Sequence, residues 1–352
     1  MKRRILIGLL VLSGAGLALA KEDKGTKDAA KDGGKDGADD RSLDDKTALG
    51  DAITYKNLTV VPVLAKQAPK EAKEYLVLDE AFDQKVVKVT EREGGSSVNE
   101  LTLENKSDKA LFLLAGEVIL GGQQDRIIGK DTVIQPKEKV AVPVFCVEHG
   151  RWTEENGSKE FRSGKTLAHT TLRKEANYKA QQDVWNEVAK KTKARKVETE
   201  SGTYRTITEK DTVKKAIEPY AKDVGPKVDK TEGADRMIGF VVIVNGQIVG
   251  METFNSPKLF GKVKDKLLRS YYVDAVDIPE DKEAAKRVIQ AGEIREYSTK
   301  GKAAPKKTVV ERKKGDAKTE QFEDDAVEGS DVVEPAPASD VQDEVYKSIN
   351  TK

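Results

Sequence analysis

"GGQQDRIIGKDTVIQPKEKVAVPVFCVEHGRW", residues 121–152, holds two apolar segments with a short polar link between them. It opens on a glycine pair and ends on Cys146, the only cysteine of the chain, followed by Glu148, His149, Arg151 and Trp152. "RIIGKDTVI" and "KVAVPVFCV" are consecutive apolar segments joined by the polar link Gln135-Pro136-Lys137-Glu138. Antiparallel pairing is the simplest arrangement for two strands with so short a link. A hairpin centred on that link pairs positions that sum to about 274, which sets Arg126 opposite Glu148. Alternation within "KVAVPVFCVE" puts Val142, Val144, Cys146 and Glu148 on one face and Phe145 and Val147 on the other. Apolar residues on both faces predict a strand buried on both sides, with Pro143 at an edge or bulge because it donates no ladder bond.

Working outward, the preceding chain also reads as strands. "NLTVVPVLA" (57–65), "YLVLDEA" (75–81), "KVVKVTE" (85–91), "VNELTLEN" (98–105) and "ALFLLAGEVIL" are rich in β-branched residues or leucine and are separated by turn residues. Leu101 and Leu103 share one face of a half-buried strand. Downstream the pattern turns helical. "ANYKAQQDVWNEVAKKTKARK" (176–196) places Ala180, Val184 and Val188 on one face beside Trp185. "GFVVIVNGQIVGMETF" is a hairpin, because Asn245-Gly246 suits a type I′ turn. Ser256-Pro257 then caps a helix with the stripe Phe260, Val263, Leu267, Tyr271 and Ala275. A last helix is expected from Pro279 to about Gly292. The expected class is α+β: an antiparallel sandwich or rolled sheet in the N-terminal half, a helical C-terminal half, and a β-hairpin, in one domain.

The ends carry a different composition. Residues 1–20 have the form of a secretory signal peptide: Lys2, Arg3 and Arg4, an apolar run over 5–12, and Ala18-Leu19-Ala20. The run is too short and too interrupted by Ser13, Gly14 and Gly16 to span a membrane. Residues 21–46 form a charged linker with no bulky apolar residue before Leu43. The folded domain is expected over 47–298, and 299–352 reads as a disordered tail, lysine-rich first and free of Lys and Arg over 319–346. The expected location is therefore outside the cytoplasm: periplasm, cell envelope or extracellular space. With 62 basic and 61 acidic residues, the net charge of +1 offers no footprint for nucleic acid. One cysteine excludes an internal disulfide.

The opening stretch supports several chemistries. Cys146 is either a small buried core residue or a nucleophile with His149 as base; the latter works only if the strand ends at Glu148. Cys146, Glu148, His149 and His169 match no familiar zinc spacing, so no metal and no cofactor are expected. Gly121-Gly122 lacks the helix and lysine-serine of a P-loop and reads as a hairpin or bulge pair. What remains is polar density: Gln124, Asp125 and Arg126 at one turn, and Glu148, Arg151 and Trp152 at another. Guanidinium forks match carboxylate or phosphate oxygens, and an indole gives a stacking wall. The cluster is either a site for a small molecule or protein partner, or a lock made of Arg126–Glu148 and Arg151–Trp152 pairs.

"GGQQDRII", "VPVFCVEHGRW", "SPKLFGKVKDKLLRSYYVDAVD" and "VWNEV" together resemble the ARG and Rhodanese-Phosphatase-superfamily-associated domain family, over about residues 55–280. Cys-Val-Glu-x-Gly-Arg-Trp is the most specific element; Gln123 stands where the family often has lysine. The resemblance implies no established activity. The sequence reading is an exported ligand- or partner-binding domain with its site at Gln124, Arg126, Glu148, Arg151 and Trp152. A hydrolase of anionic esters or nucleotide-like substrates, with Glu148 or Asp125 as base and Cys146 as possible nucleophile, is one alternative. A structural domain whose tails recruit partners is the other.

Overall fold

The computed structural model describes residues 43–67, 74–91, 99–150, 160–178, 181–254, 256–301, 308–313 and 319–324. The expected signal segment and most of the charged linker lie outside the described residues. Strands β1 (Thr47–Leu49), β2 (Ile53–Tyr55) and β3 (Leu58–Ala65) come first. Strand β4 (Tyr75–Val77) runs directly into helix α1 (Leu78–Asp83). The stretch expected as one strand is thus half helix, because Glu80 reaches back and accepts the Val77 backbone N–H at 3.1 Å. Then follow β5 (Val87–Glu91), β6 (Glu100–Asn105), β7 (Ala110–Leu113), β8 (Glu117–Gly121), β9 (Arg126–Ile128), β10 (Thr132–Ile134), β11 (Lys139–Cys146) and β12 (Phe161–Leu167).

The second half holds helices α2 (Thr170–Tyr178), α3 (Gln181–Ala194), α4 (Arg205–Glu209) and α5 (Asp211–Asp229). The hairpin β13 (Met237–Val244) and β14 (Gln247–Thr253) precedes α6 (Pro257–Asp277) and α7 (Ala291–Gly301). Asn245 and Gly246 both take positive φ, 47° and 69°, as a type I′ turn requires. Ser256 Oγ accepts the Leu259 N–H, and the whole expected stripe from Phe260 to Ala275 is buried. The chain is α+β, with antiparallel pairing dominating the first half and helices the second.

Two sheets are built wholly within the first half. One has the order β12-β8-β9-β11-β6-β5 and the other β10-β7-β4. The β4–β7 pair is parallel, unlike its neighbours. Leu101, Leu103, Leu111, Leu113, Ile119, Ile128, Ile134, Val142 and Val144 fill the space between them. Each such side chain contributes about 1.5–3 kcal/mol on leaving water. The larger sheet curls: Glu91, ending one edge strand, accepts the Gln123 N–H at 3.1 Å, just past β8 near the other edge. A third sheet lies β1-β3-β13-β14, with β2 also on β3. Because β13 pairs with β3 along its length, the late hairpin completes a sheet begun by the first strands. The Pro62 carbonyl accepts from Gly50 where β1 gives way to β2, so a proline fits within β3.

Several expectations are corrected. "RIIGKDTVI" is two strands: β9 pairs with β11, but β10 crosses to the smaller sheet and pairs with β7. The hairpin register therefore shifts, with Cys146 opposite Arg126. Strand β11 is buried on one face only; Lys139 and Ala141 are exposed and Pro143 and Phe145 half-buried. Pro143 is at neither edge; it lies in an inner strand at the handover from β6 to β9. The last helix starts rather than ends near Gly292, since Glu293 accepts the Gln290 N–H and caps α7. Within the expected tail, β15 (Thr308–Lys313) pairs with β16 (Thr319–Asp324). At the other end Leu43, assigned to the linker, is buried.

Candidate functional site

The turn between β8 and β9 is set by backbone geometry. Gly121 and Gly122 take φ of 112° and 57°, and a β-carbon on Gly121 would stand 2.2 Å from the Glu160 carbonyl oxygen. Only glycine permits both that conformation and that approach. Asp125 follows, fully buried, and is held from every side. Its carboxylate accepts from Arg205 Nη2 at 2.9 Å, Thr203 Oγ1 at 3.1 Å and the Gly121 N–H at 3.1 Å. Its backbone N–H donates to Glu148 Oε2 at 3.2 Å, and its carbonyl accepts the Val147 N–H at 3.0 Å. Glu148 bridges to Thr203. Asp125 and Glu148 thus tie the end of β11 to the approach to α4. Arg205, Thr203 and Gln181 were missed by the sequence reading; only the fold brings them to the motif.

Arg126 is the neighbour of Asp125 and its opposite. Opposed to Ile119 on β8 and Cys146 on β11, it shares their face, which lines the interior of the curled sheet. Its side chain is fully buried. Nη1 reaches Gln124 Oε1 only at 3.5 Å, and Nη2 lies 3.8 Å from Glu91 Oε1. Nε and Nη2 have no hydrogen-bond partner among the described residues. The expected Arg126–Glu148 pair is not formed; among the described residues Arg126 approaches the Glu91 carboxylate, and Glu148 faces the Asp125 backbone. The structure thus joins Gln124 to Arg126 and Glu148 to Asp125, while Arg151 and Trp152 lie outside the described residues.

Cys146 is 1% exposed, and its backbone is clamped on both sides by Gln181: N–H to Oε1 and C=O to Nε2, each 2.8 Å. Burial pushes the thiol up, against the pull of Arg126. A thiol held protonated in this way is a poor nucleophile. His149 is exposed and stands edge-on to Trp185, ring centroids 4.5 Å apart, beside an open cleft of about 430 Å³. His169 is buried, with Nδ1 3.0 Å from the Tyr204 hydroxyl and Nε2 3.2 Å from Glu187. Burial drives Glu187 up, but the His169 contact and charge carry it below the usual carboxylate range. Among the described residues no three His, Cys, Asp or Glu side chains converge as metal ligands.

A second polar assembly was not anticipated. Lys266 of α6 is buried and bonds Asp79 of α1 at 2.5 Å and Glu117 of β8 at 2.6 Å. Ser163 of β12 donates to the other oxygen of Asp79, and Glu117 also accepts the Leu114 N–H at 2.9 Å. Burial raises Glu117 above its ordinary value; the two carboxylates raise Lys266 despite its burial. The signal was in "KDKLLRSYY", where Lys266, Arg269 and Tyr272 recur every three residues beside the apolar stripe. Among the described residues no helix is long and apolar enough to cross a membrane.

No curated protein and no solved structure matches the chain. The family model for the ARG and Rhodanese-Phosphatase-superfamily-associated Protein domain, ARPP-1, matches residues 46–344. With the match covering most of its length, and with the glycine pair, the Asp125 corner and the Cys146 strand inside it, the chain belongs to the ARPP-1 family.

Proposed function

We propose that the chain is an exported binding protein whose curled sheet takes a small anionic ligand on Arg126. One observation carries this reading: a fully buried guanidinium whose Nε and Nη2 make no hydrogen bond among the described residues. Arginine keeps its charge at any physiological pH, so an incompletely paired guanidinium in the interior costs several kcal/mol. A carboxylate or phosphate group presents two oxygens at the spacing of the guanidinium fork and would offset that cost. Gln124 would orient the fork. The interior of a curled sheet is a common place for a small ligand. Export rests on residues 1–20, whose basic start, short apolar run and Ala18-Leu19-Ala20 suit cleavage by a signal peptidase.

The hydrolase alternative asks for a free base and a reactive thiol. Asp125 is engaged by Arg205 and Thr203, and burial keeps the Cys146 thiol protonated; both favour binding over catalysis at this place. The test is a thermal-shift and calorimetric screen of small carboxylates and phosphate esters against the wild type and Arg126→Met. Saturable binding that the variant loses supports the reading; binding undiminished by Arg126→Met sinks it. Cell fractionation with mass analysis of the mature N-terminus tests export.

A further inference from the structure

Helices α5 and α6, with α1 and β12, enclose a cleft of about 420 Å³ remote in sequence from the Arg126 motif. Tyr272 lines it and is 3% exposed, yet its hydroxyl makes no hydrogen bond among the described residues. Gly225 of α5 faces that hydroxyl: a β-carbon there would lie 3.9 Å from it, in ordinary contact. Arg269, one turn before Tyr272, gives one Nη2 contact to the Thr208 carbonyl at 3.3 Å and pairs with no carboxylate among the described residues. Lys266 uses two of its three ammonium N–H groups on Asp79 and Glu117.

The acceptors on the floor are already engaged. Both Asp79 oxygens serve Ser163 and Lys266; behind the lining, both oxygens of the buried Glu117 serve Leu114 and Lys266. The other lining carboxylate, Asp265, is 91% exposed. The cleft therefore presents surplus donors and few open acceptors. Burial, with Asp265 and Asp229 nearby, holds the Tyr272 phenol above its ordinary value, so it stays a donor. The wall of α5 is also unusual. Pro226 lies inside the helix and cannot donate to the Lys222 carbonyl, and Gly225 beside it is a weak helix former. Local preference is sacrificed where the cleft opens, as happens at sites under functional demand.

We propose that this cleft is a second ligand site, taking a small molecule through an oxyanion, carboxylate or phosphate. The Tyr272 hydroxyl, the Arg269 guanidinium and the remaining Lys266 N–H would bind it, with Gly225 leaving the room. It does not depend on the Arg126 reading, because no residue is shared.

The experiment is a titration of the full chain with inorganic phosphate and, separately, succinate, followed by backbone amide NMR. Saturable shifts at Gly225 and Tyr272 are expected from at least one probe. Phosphate alone would assign a phosphate ester, succinate alone a carboxylate. Tyr272→Phe should weaken that affinity about tenfold, the worth of one hydrogen bond to a charged group, while leaving stability unchanged. Gly225→Ala should stabilise α5 yet weaken binding, a combination that a structural role would not give. The absence of saturable shifts at these amides with both probes, or affinity unmoved by both variants, overturns the proposal. Shifts at residues 126 and 146 report the other site separately.

Discussion

Asp125 and Arg126 are adjacent in the chain and equally buried, but among the described residues only one is satisfied. The Asp125 carboxylate accepts from Arg205, Thr203 and the Gly121 N–H, and with its backbone bonds to Glu148 and Val147 it ties three segments together. Arg126 projects into the curled sheet with a 3.5 Å contact to Gln124 and a 3.8 Å approach to Glu91. Both are charges removed from water, which is costly in either case. The difference is what replaces it. A buried polar group whose capacity is met by the protein is part of the framework. One whose capacity is left open either weakens the fold or waits for a partner.

Asp125 is the residue whose loss should cost most. Asp125→Ala should destabilise by about 3–5 kcal/mol, the cost of breaking a buried, hydrogen-bonded pair, with the partial exposure of Arg205 placing it at the lower end. Urea unfolding measures this. Asp125→Asn should cost less, because its amide oxygen still accepts one or two of the three donors. A loss under about 1 kcal/mol for the alanine variant would mean that the corner is not a lock.

At Arg126 the sign should reverse. Arg126→Met keeps the length and apolar body and removes a charge that the described residues leave short of partners. In the absence of ligand it should leave stability unchanged or raise it by about 1–4 kcal/mol, as found when buried ions are replaced by apolar side chains of similar size. A ligand present in excess would erase that advantage, since it stabilises only the wild type. A variant that unfolds like Asp125→Ala would place Arg126 in the framework too.

Periodicity made the larger outline legible. Leu101 and Leu103, the Asn245-Gly246 turn, the Ser256 cap and the stripe of α6 all appear where local rules put them, because each rests on neighbours within a few residues. The hairpin register failed for the opposite reason. That register requires "RIIGKDTVI" to stay in one sheet, whereas Gly129–Asp131 carries the chain into another and Asp131 fixes that turn by accepting the Ala115 N–H at 2.7 Å. Helix α5 was not placed because Pro219 and Gly225-Pro226 interrupt its pattern. The polar motif was found, but its partners were not. Thr203 and Arg205 lie 78 and 80 residues from Asp125, and no local pattern announces them.

Cys146, buried opposite Arg126, should show a smaller effect. Its folded value is raised, so the folded protein keeps a proton that the unfolded chain gives up above about pH 8.5. The contribution of the thiol to stability is therefore present below that pH and lost as pH rises through the folded value. The loss cannot exceed about 1.4 kcal/mol per pH unit. Denaturation midpoints of wild type and Cys146→Ala, measured from pH 7 to 10, should converge as pH rises. Parallel curves would show the thiol ionising as freely in the folded protein as in the unfolded chain. Rapid native labelling by a thiol reagent would contradict burial itself.

The smallest expected effect concerns Arg126 and Glu148. Antiparallel strands put directly opposed residues on one face, and Arg126 is opposed to Cys146, not to Glu148. Glu148 lies beyond the end of β11 and turns to the Asp125 N–H. The two side chains therefore answer to different neighbours. Glu148→Ala should cost about 1–3 kcal/mol by stranding a buried backbone donor. Arg126→Ala should carry the cavity cost of a large side chain. Made together, the two changes should add within about 0.5 kcal/mol, as changes without a shared contact do. Denaturant unfolding of the four proteins gives that number. A coupling above about 1 kcal/mol would mean that the guanidinium and the carboxylate sense each other directly, and Arg126 would then belong to the same lock as its neighbour.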